Sequence, residues 1–140
     1  MKIPETPFPF TIGNEIELQI VDRDGYILRG EELIGVWDDI FDSIENKFKK
    51  AMQDLPDNIK KKIKHFKRVD KDRQGKKLPY LEIKYNNLGK SFIINILGPD
   101  PNISQITWIM ELVTPPCGTM VEFSEWNIFL NKFLVNILPE

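Results

Sequence analysis

The chain has 140 residues, 41% hydrophobic and 29% charged, which excludes wholesale disorder and suits one domain. Its 19 basic and 21 acidic residues leave a net charge of −2, so the surface as a whole is no polyanion binder. A single cysteine, Cys117, and a single histidine, His65, exclude an intrachain disulfide and a Cys-based zinc site.

No run approaches the ~18 uninterrupted apolar residues of a membrane helix. Residues 1–5 carry no signal-peptide apolar core. The expectation is a cytoplasmic protein without membrane contact, and a lone thiol fits a reducing compartment.

Pro4, Pro7 and Pro9 make the opening an extended lead-in. From Thr11 to Val21 the pattern has a period of two. Ile12, Ile16, Leu18 and Ile20 fall on one face, interrupted by Asn14, and Gly13, Glu15, Glu17 and Gln19 on the other, which predicts an amphipathic strand. Asp22-Arg23-Asp24-Gly25 is a turn, and Tyr26–Arg29 returns as the second strand of a hairpin.

From Glu31 to Met52 the period changes. Leu33, Trp37, Ile40, Phe41, Ile44 and Phe48 recur at helical steps, with acids before lysines as the helix dipole favours. Asp54-Leu55-Pro56-Asp57 ends this helix, and Ile59, Ile63 and Phe66 predict one apolar face of a second. Residues 47–77 hold 13 bases against 4 acids, a net of +9, while the rest of the chain carries 6 bases against 17 acids, a net of −11. The chain reads as a single domain over residues 1–140 with an exposed loop at Gln74–Lys77.

Three more strands are predicted. Tyr80–Tyr85 and Ser91–Leu97 form a hairpin across Asn86–Gly89. Gln105–Val113 follows, with Ile106, Trp108, Met110 and Leu112 on one face and Glu111 on the other. Thr114-Pro115-Pro116 ends it. Thr119-Met120-Val121-Glu122 has capping-box spacing and opens a helix bearing Phe123, Trp126, Phe129, Leu130, Phe133, Leu134 and Ile137. The order β-β-α-α-β-β-β-α predicts the α+β class, an antiparallel sheet with helices packed on one face.

The chemistry resides in carboxylates. Glu15 and Glu17 lie two apart on a strand, hence on one face, roughly 6.5–7 Å apart. Such a pair suits a hard, oxygen-seeking ion such as Mg²⁺, and Gly13 on the same face leaves room for a ligand. Glu111, in an otherwise apolar strand, needs a partner, a metal or a solvated edge.

Gly13-x-Glu15-x-Glu17, followed by Glu111-Leu112-Val113-Thr114-Pro115-Pro116-Cys117, resembles the N-terminal portion of the glutamate–cysteine ligase type-2 family of carboxylate–amine ligases. The resemblance covers about residues 10–30 and 105–135, and relative to it the basic segment about 54–78 is an insertion. It implies part of a glutamine synthetase-like catalytic fold and ATP-dependent amide formation through an acyl-phosphate. It also implies Mg²⁺ or Mn²⁺ on Glu15, Glu17 and Glu111, with Thr114 and Cys117 beside the amino-acid substrate. A chain of this length is expected to supply one wall of such a site and to turn over poorly alone.

Other readings stand beside this one. Glu15 and Glu17 also suit a solvated sheet face. Cys117 reads as a small packed residue in a pocket wall rather than a nucleophile, His65 as a surface residue, and the aromatics at helical spacing as core. The basic tract reads as a solvated face, with a non-enzymatic module binding an anionic partner such as RNA as the alternative function. An open sheet edge predicts a homo-oligomer, and an oligomeric scaffold derived from the ligase fold is a further alternative.

Overall fold

A computed structural model describes residues 10–70, 72–73, 76–99 and 110–137. Five strands form one antiparallel sheet. They are β1 (Glu15–Leu18), β2 (Ile63–Val69), β5 (Tyr80–Asn87), β6 (Lys90–Pro99) and β7 (Met110–Val113), in the order β1-β7-β6-β5-β2. Between them in sequence lie α1 (Gly30–Met52), α2 (Asp57–Lys60) and a two-stranded ribbon of β3 (Asp72–Arg73) and β4 (Lys76–Lys77), and α3 (Met120–Ile137) follows β7. The α+β class and the antiparallel sheet follow the predicted pattern. The lead-in prolines and residues 105–109 lie outside the described residues, so β7 is seen only from Met110.

Periodicity places the core. The α1 stripe of Leu33, Trp37, Phe41, Ile44 and Phe48 is buried, as are Trp126, Phe129, Leu130 and Phe133 of α3. They meet Leu81, Ile83, Tyr85, Ile96, Leu97, Met110 and Leu112 from one face of the sheet, so both long helices cover that face. Phe48 is the hinge of the aromatic packing. It stacks on Phe66 and meets Phe129 and Phe133 edge-on, with centroids 5.7, 5.5 and 4.8 Å away. Trp37 spends its one polar atom on the Pro79 carbonyl, 2.7 Å away.

The predicted first hairpin closes as a short ladder. Asp22 Oδ1 accepts from the backbone N–H groups of Asp24 and Tyr26, and Gly25 takes a φ of 86°, where a side chain is strained. Leu28 N–H then donates to the Ile20 carbonyl, but only an isolated Val21–Ile27 bridge forms. Asn14, which breaks the apolar alternation, has a reason to be polar: its amide donates to Asn127 Oδ1 on α3, 2.8 Å away.

The basic segment differs from its reading. The second helix is a single turn, Asp57–Lys60, and Ile63 and Phe66 belong to β2, the outer strand beside β5. Their three-residue spacing imitates a helix because the register slips between Ile63 and His65. Ile63 pairs with Tyr85 and Phe66 with Ile83, leaving Lys64 as an extra residue. A β-bulge thus returns both apolar side chains to the core face, as two turns of helix would have done. Of the predicted loop Gln74–Lys77, residues 74–75 lie outside the described residues and Lys76–Lys77 form β4.

Candidate metal centre

The register of the outer pair β1 and β7 decides which carboxylates meet. Ile16 pairs with Leu112 and Leu18 with Met110, both turned to the core, so Glu15, Glu17, Glu111 and Val113 stand on the opposite face. Glu17 pairs directly with Glu111, and Glu15 with Val113. One carboxylate oxygen from each of Glu15, Glu17 and Glu111 lies within 4.8 Å of the others. Glu15 and Glu17 are exposed and Glu111 is half-buried. Like charges this close repel by about 1 kcal/mol per pair even at the dielectric of water. Three hard oxygen donors in one small volume are a donor set for Mg²⁺, Mn²⁺ or Ca²⁺ rather than for a thiolate- or imidazole-seeking metal.

The segment after β7 is zipped to the segment before β1. Thr114 N–H donates to the Asn14 carbonyl at 2.9 Å, and Asn14 N–H donates to Thr114 Oγ1 at 2.8 Å. Ile12 and Cys117 exchange backbone hydrogen bonds of 3.0 and 2.8 Å. Gly13 sits in this seam, where a Cβ would come within 3.3 Å of Thr114 Oγ1. A cavity of about 410 Å³ opens here, lined by residues that include Thr11, Gly13, Asn14, Glu15, Thr114 and Pro116. Thr114 therefore shares a cavity wall with Glu15, one member of the acidic cluster.

Cys117 does not line that cavity. It is fully buried in the apolar core, and its thiol donates to the Pro115 carbonyl at 3.2 Å. Burial, and then the nearby charge of Glu122, pushes the thiol up to about 12. Such a thiol is a packed residue and a poor nucleophile at neutral pH.

The group that sequence reasoning missed is Glu122. Only 2% exposed, it accepts four hydrogen bonds. Lys62 Nζ and Tyr85 Oη donate to Oε2, each at 2.6 Å, while Asn87 Nδ2 and the Gly118 N–H donate to Oε1 at 2.9 and 2.8 Å. Trp126 Nε1 completes the network on Tyr85 Oη. Burial opposes the charge, yet Lys62, Tyr85 and the Gly118 N–H outweigh it and hold the carboxyl below its ordinary value. Burial, and the bond to Glu122, raises the Tyr85 phenol well above the usual range. Asn87 also donates to the Pro116 carbonyl, so the network grips the loop that carries Thr114 to Cys117. The one signal in the sequence was Thr119-x-x-Glu122. Thr119 Oγ1 does cap Glu122 N–H, but the Glu122 carboxylate turns to Gly118 and the core.

The basic tract is partly consumed by pairing. Lys62 meets Glu122, Lys67 and His65 meet Glu82, and Arg68 meets Asp42, Glu45 and Asp70 while lying over the Phe41 ring. No helix among the described residues is long and apolar enough to cross a membrane. Comparison with family models, with curated proteins and with solved structures gives no match.

Proposed function

We propose that this chain serves ATP-dependent carboxylate–amine ligation of the glutamate–cysteine type, as the metal-holding N-terminal wall of the site. The observation that carries the reading is the convergence of Glu15, Glu17 and Glu111 from two paired strands. Had Glu111 pointed to the helix side, the two motifs would have had nothing in common. The likeness of the sheet to part of the glutamine synthetase-like fold belongs to the same proposal.

The oxygens of Glu15, Glu17 and Glu111 fit a hard divalent cation and would hold it. A Mg²⁺ or Mn²⁺ ion held there would neutralise the phosphate charge of ATP. Thr114 anchors Asn14 and faces the adjoining cavity, which is the place for the amino-acid substrate. Gly13 keeps that cavity open at the seam. Cys117 supports the wall from behind.

The test is a Mn²⁺ titration followed by electron paramagnetic resonance, with and without ATP, on wild type and on a Glu15→Gln/Glu17→Gln variant. The expected result is a dissociation constant at least about tenfold weaker in the variant, a loss of some 1.4 kcal/mol. Equal Mn²⁺ binding by the two proteins ends the metal-site reading.

A further inference from the structure

A crevice lies on the other side of the sheet, between α1 and α3, and the ligase reading makes no use of it. One wall comprises Lys47, Lys50 and Ala51 of α1 with Asp54 in the turn that follows it, and the other Phe129, Lys132, Phe133 and Asn136 of α3. Each set follows the i, i+3, i+4, i+7 spacing of one helical stripe, so two stripes face one another across a space of about 470 Å³. That is the size of a small-molecule site.

The floor is aromatic and preformed. Phe133 and Phe129 are held edge-on by Phe48, and Phe129 also by Trp126 at 5.7 Å. The rim is cationic. Lys47 is half-buried and Lys50 and Lys132 are exposed, and none of the three forms an ion pair among the described residues, whereas neighbouring Lys49 pairs with Glu45. The α1 dipole accounts for Lys49 and Lys50, which lie in its last turn, but not for Lys47, and the last turn of α3 contains no base at all. Against three ammonium groups the rim carries, among the described residues, one carboxylate, Asp54.

We propose that this crevice binds a small amphipathic anion: a carboxylate on an apolar body, the body lying on Phe129 and Phe133 and the charge among Lys47, Lys50 and Lys132. A bare inorganic ion meets the ammonium groups of the rim but leaves the aromatic floor uncovered, so an apolar body adds affinity. Lysine ammoniums are compact point charges without the bidentate fork of arginine, and three of them beside the one described carboxylate, Asp54, leave a positive rim that suits an anionic head group.

The probe is 1-anilinonaphthalene-8-sulfonate, whose emission rises in a dry apolar site, displaced in turn by decanoate, decanol and inorganic phosphate. Wild type is expected to bind the probe, and decanoate to displace it at a concentration at least about tenfold below that of decanol, with phosphate inert. Lys50→Glu/Lys132→Glu, both exposed and harmless to the core, should weaken binding at least about tenfold. Ala51→Trp should abolish it by filling the crevice, with the urea midpoint confirming that each variant is folded. The Glu15→Gln/Glu17→Gln variant should bind the probe as wild type does, which separates this site from the ligase reading. Unchanged affinity in the lysine variant, or decanol matching decanoate, overturns the proposal.

Discussion

Replacing Glu122 by glutamine tests the buried network directly. Four donors converge on its two oxygens. Glutamine keeps one oxygen and puts an NH₂ where Lys62 and Tyr85 now donate, so a half-buried and a buried donor face a third. Removing one member of a buried ion pair typically costs 3–5 kcal/mol. Lys62, whose side chain is 27% exposed, can turn toward water and recover some of its loss, so about 3 kcal/mol is expected. Urea unfolding at pH 7 measures it. The network also sets a pH dependence. The folded-state carboxyl is held below its unfolded value, so its contribution is present above the unfolded carboxylate pKa of ~4.3 and lost as pH falls through the folded value. The acid side of the stability curve should therefore flatten in Glu122→Gln. A cost under about 1 kcal/mol with an unchanged acid limb would refute the reasoning, because a satisfied buried charge cannot be that dispensable.

Three further outcomes are expected. Phe48→Ala, at a fully buried ring touching Phe66, Phe129 and Phe133, should cost roughly 3–5 kcal/mol in urea unfolding. Gly98→Ala should cost about 2 kcal/mol or more, since its Cβ would lie 2.4 Å from Tyr80 Cβ, an atom fixed to the backbone of β5; a neutral effect would mean that β5 and β6 part freely. Cys117 should react with Ellman's reagent at pH 8 only as fast as the protein opens, being buried and only roughly 10⁻⁴ ionised with its pKa at about 12; rapid stoichiometric labelling would show an open loop.

Much of the architecture was legible because its signals are local. The three- and four-residue steps of α1 and α3, and the alternation in β1, β5 and β7, each mark which side chains enter the core. The same alternation put Glu15 and Glu17 on one face. That Glu111 shares it depends on the pairing of Glu17 with Glu111, a relation between segments nearly a hundred residues apart that no periodicity reveals. β2 was misread because one surplus residue turned a strand's period of two into an apparent helical three. The Glu122 network was hidden for the opposite reason. Lys62 looks like any member of a lysine run and Glu122 like half of a capping box, and only their meeting beside Tyr85 gives either a purpose.

Lys64 has a consequence for how molecules of this chain can join. A second copy adding to the sheet needs an evenly spaced row of free backbone groups, and the surplus residue breaks that row on β2, where Lys64 and Lys67 also add exposed charge. Among the described residues the four-residue margin at β1 has no such irregularity and is the side from which the sheet could be prolonged. A copy joined at that margin would bring Glu15 and Glu17 of both molecules toward one seam, where like charges repel unless they are neutralised.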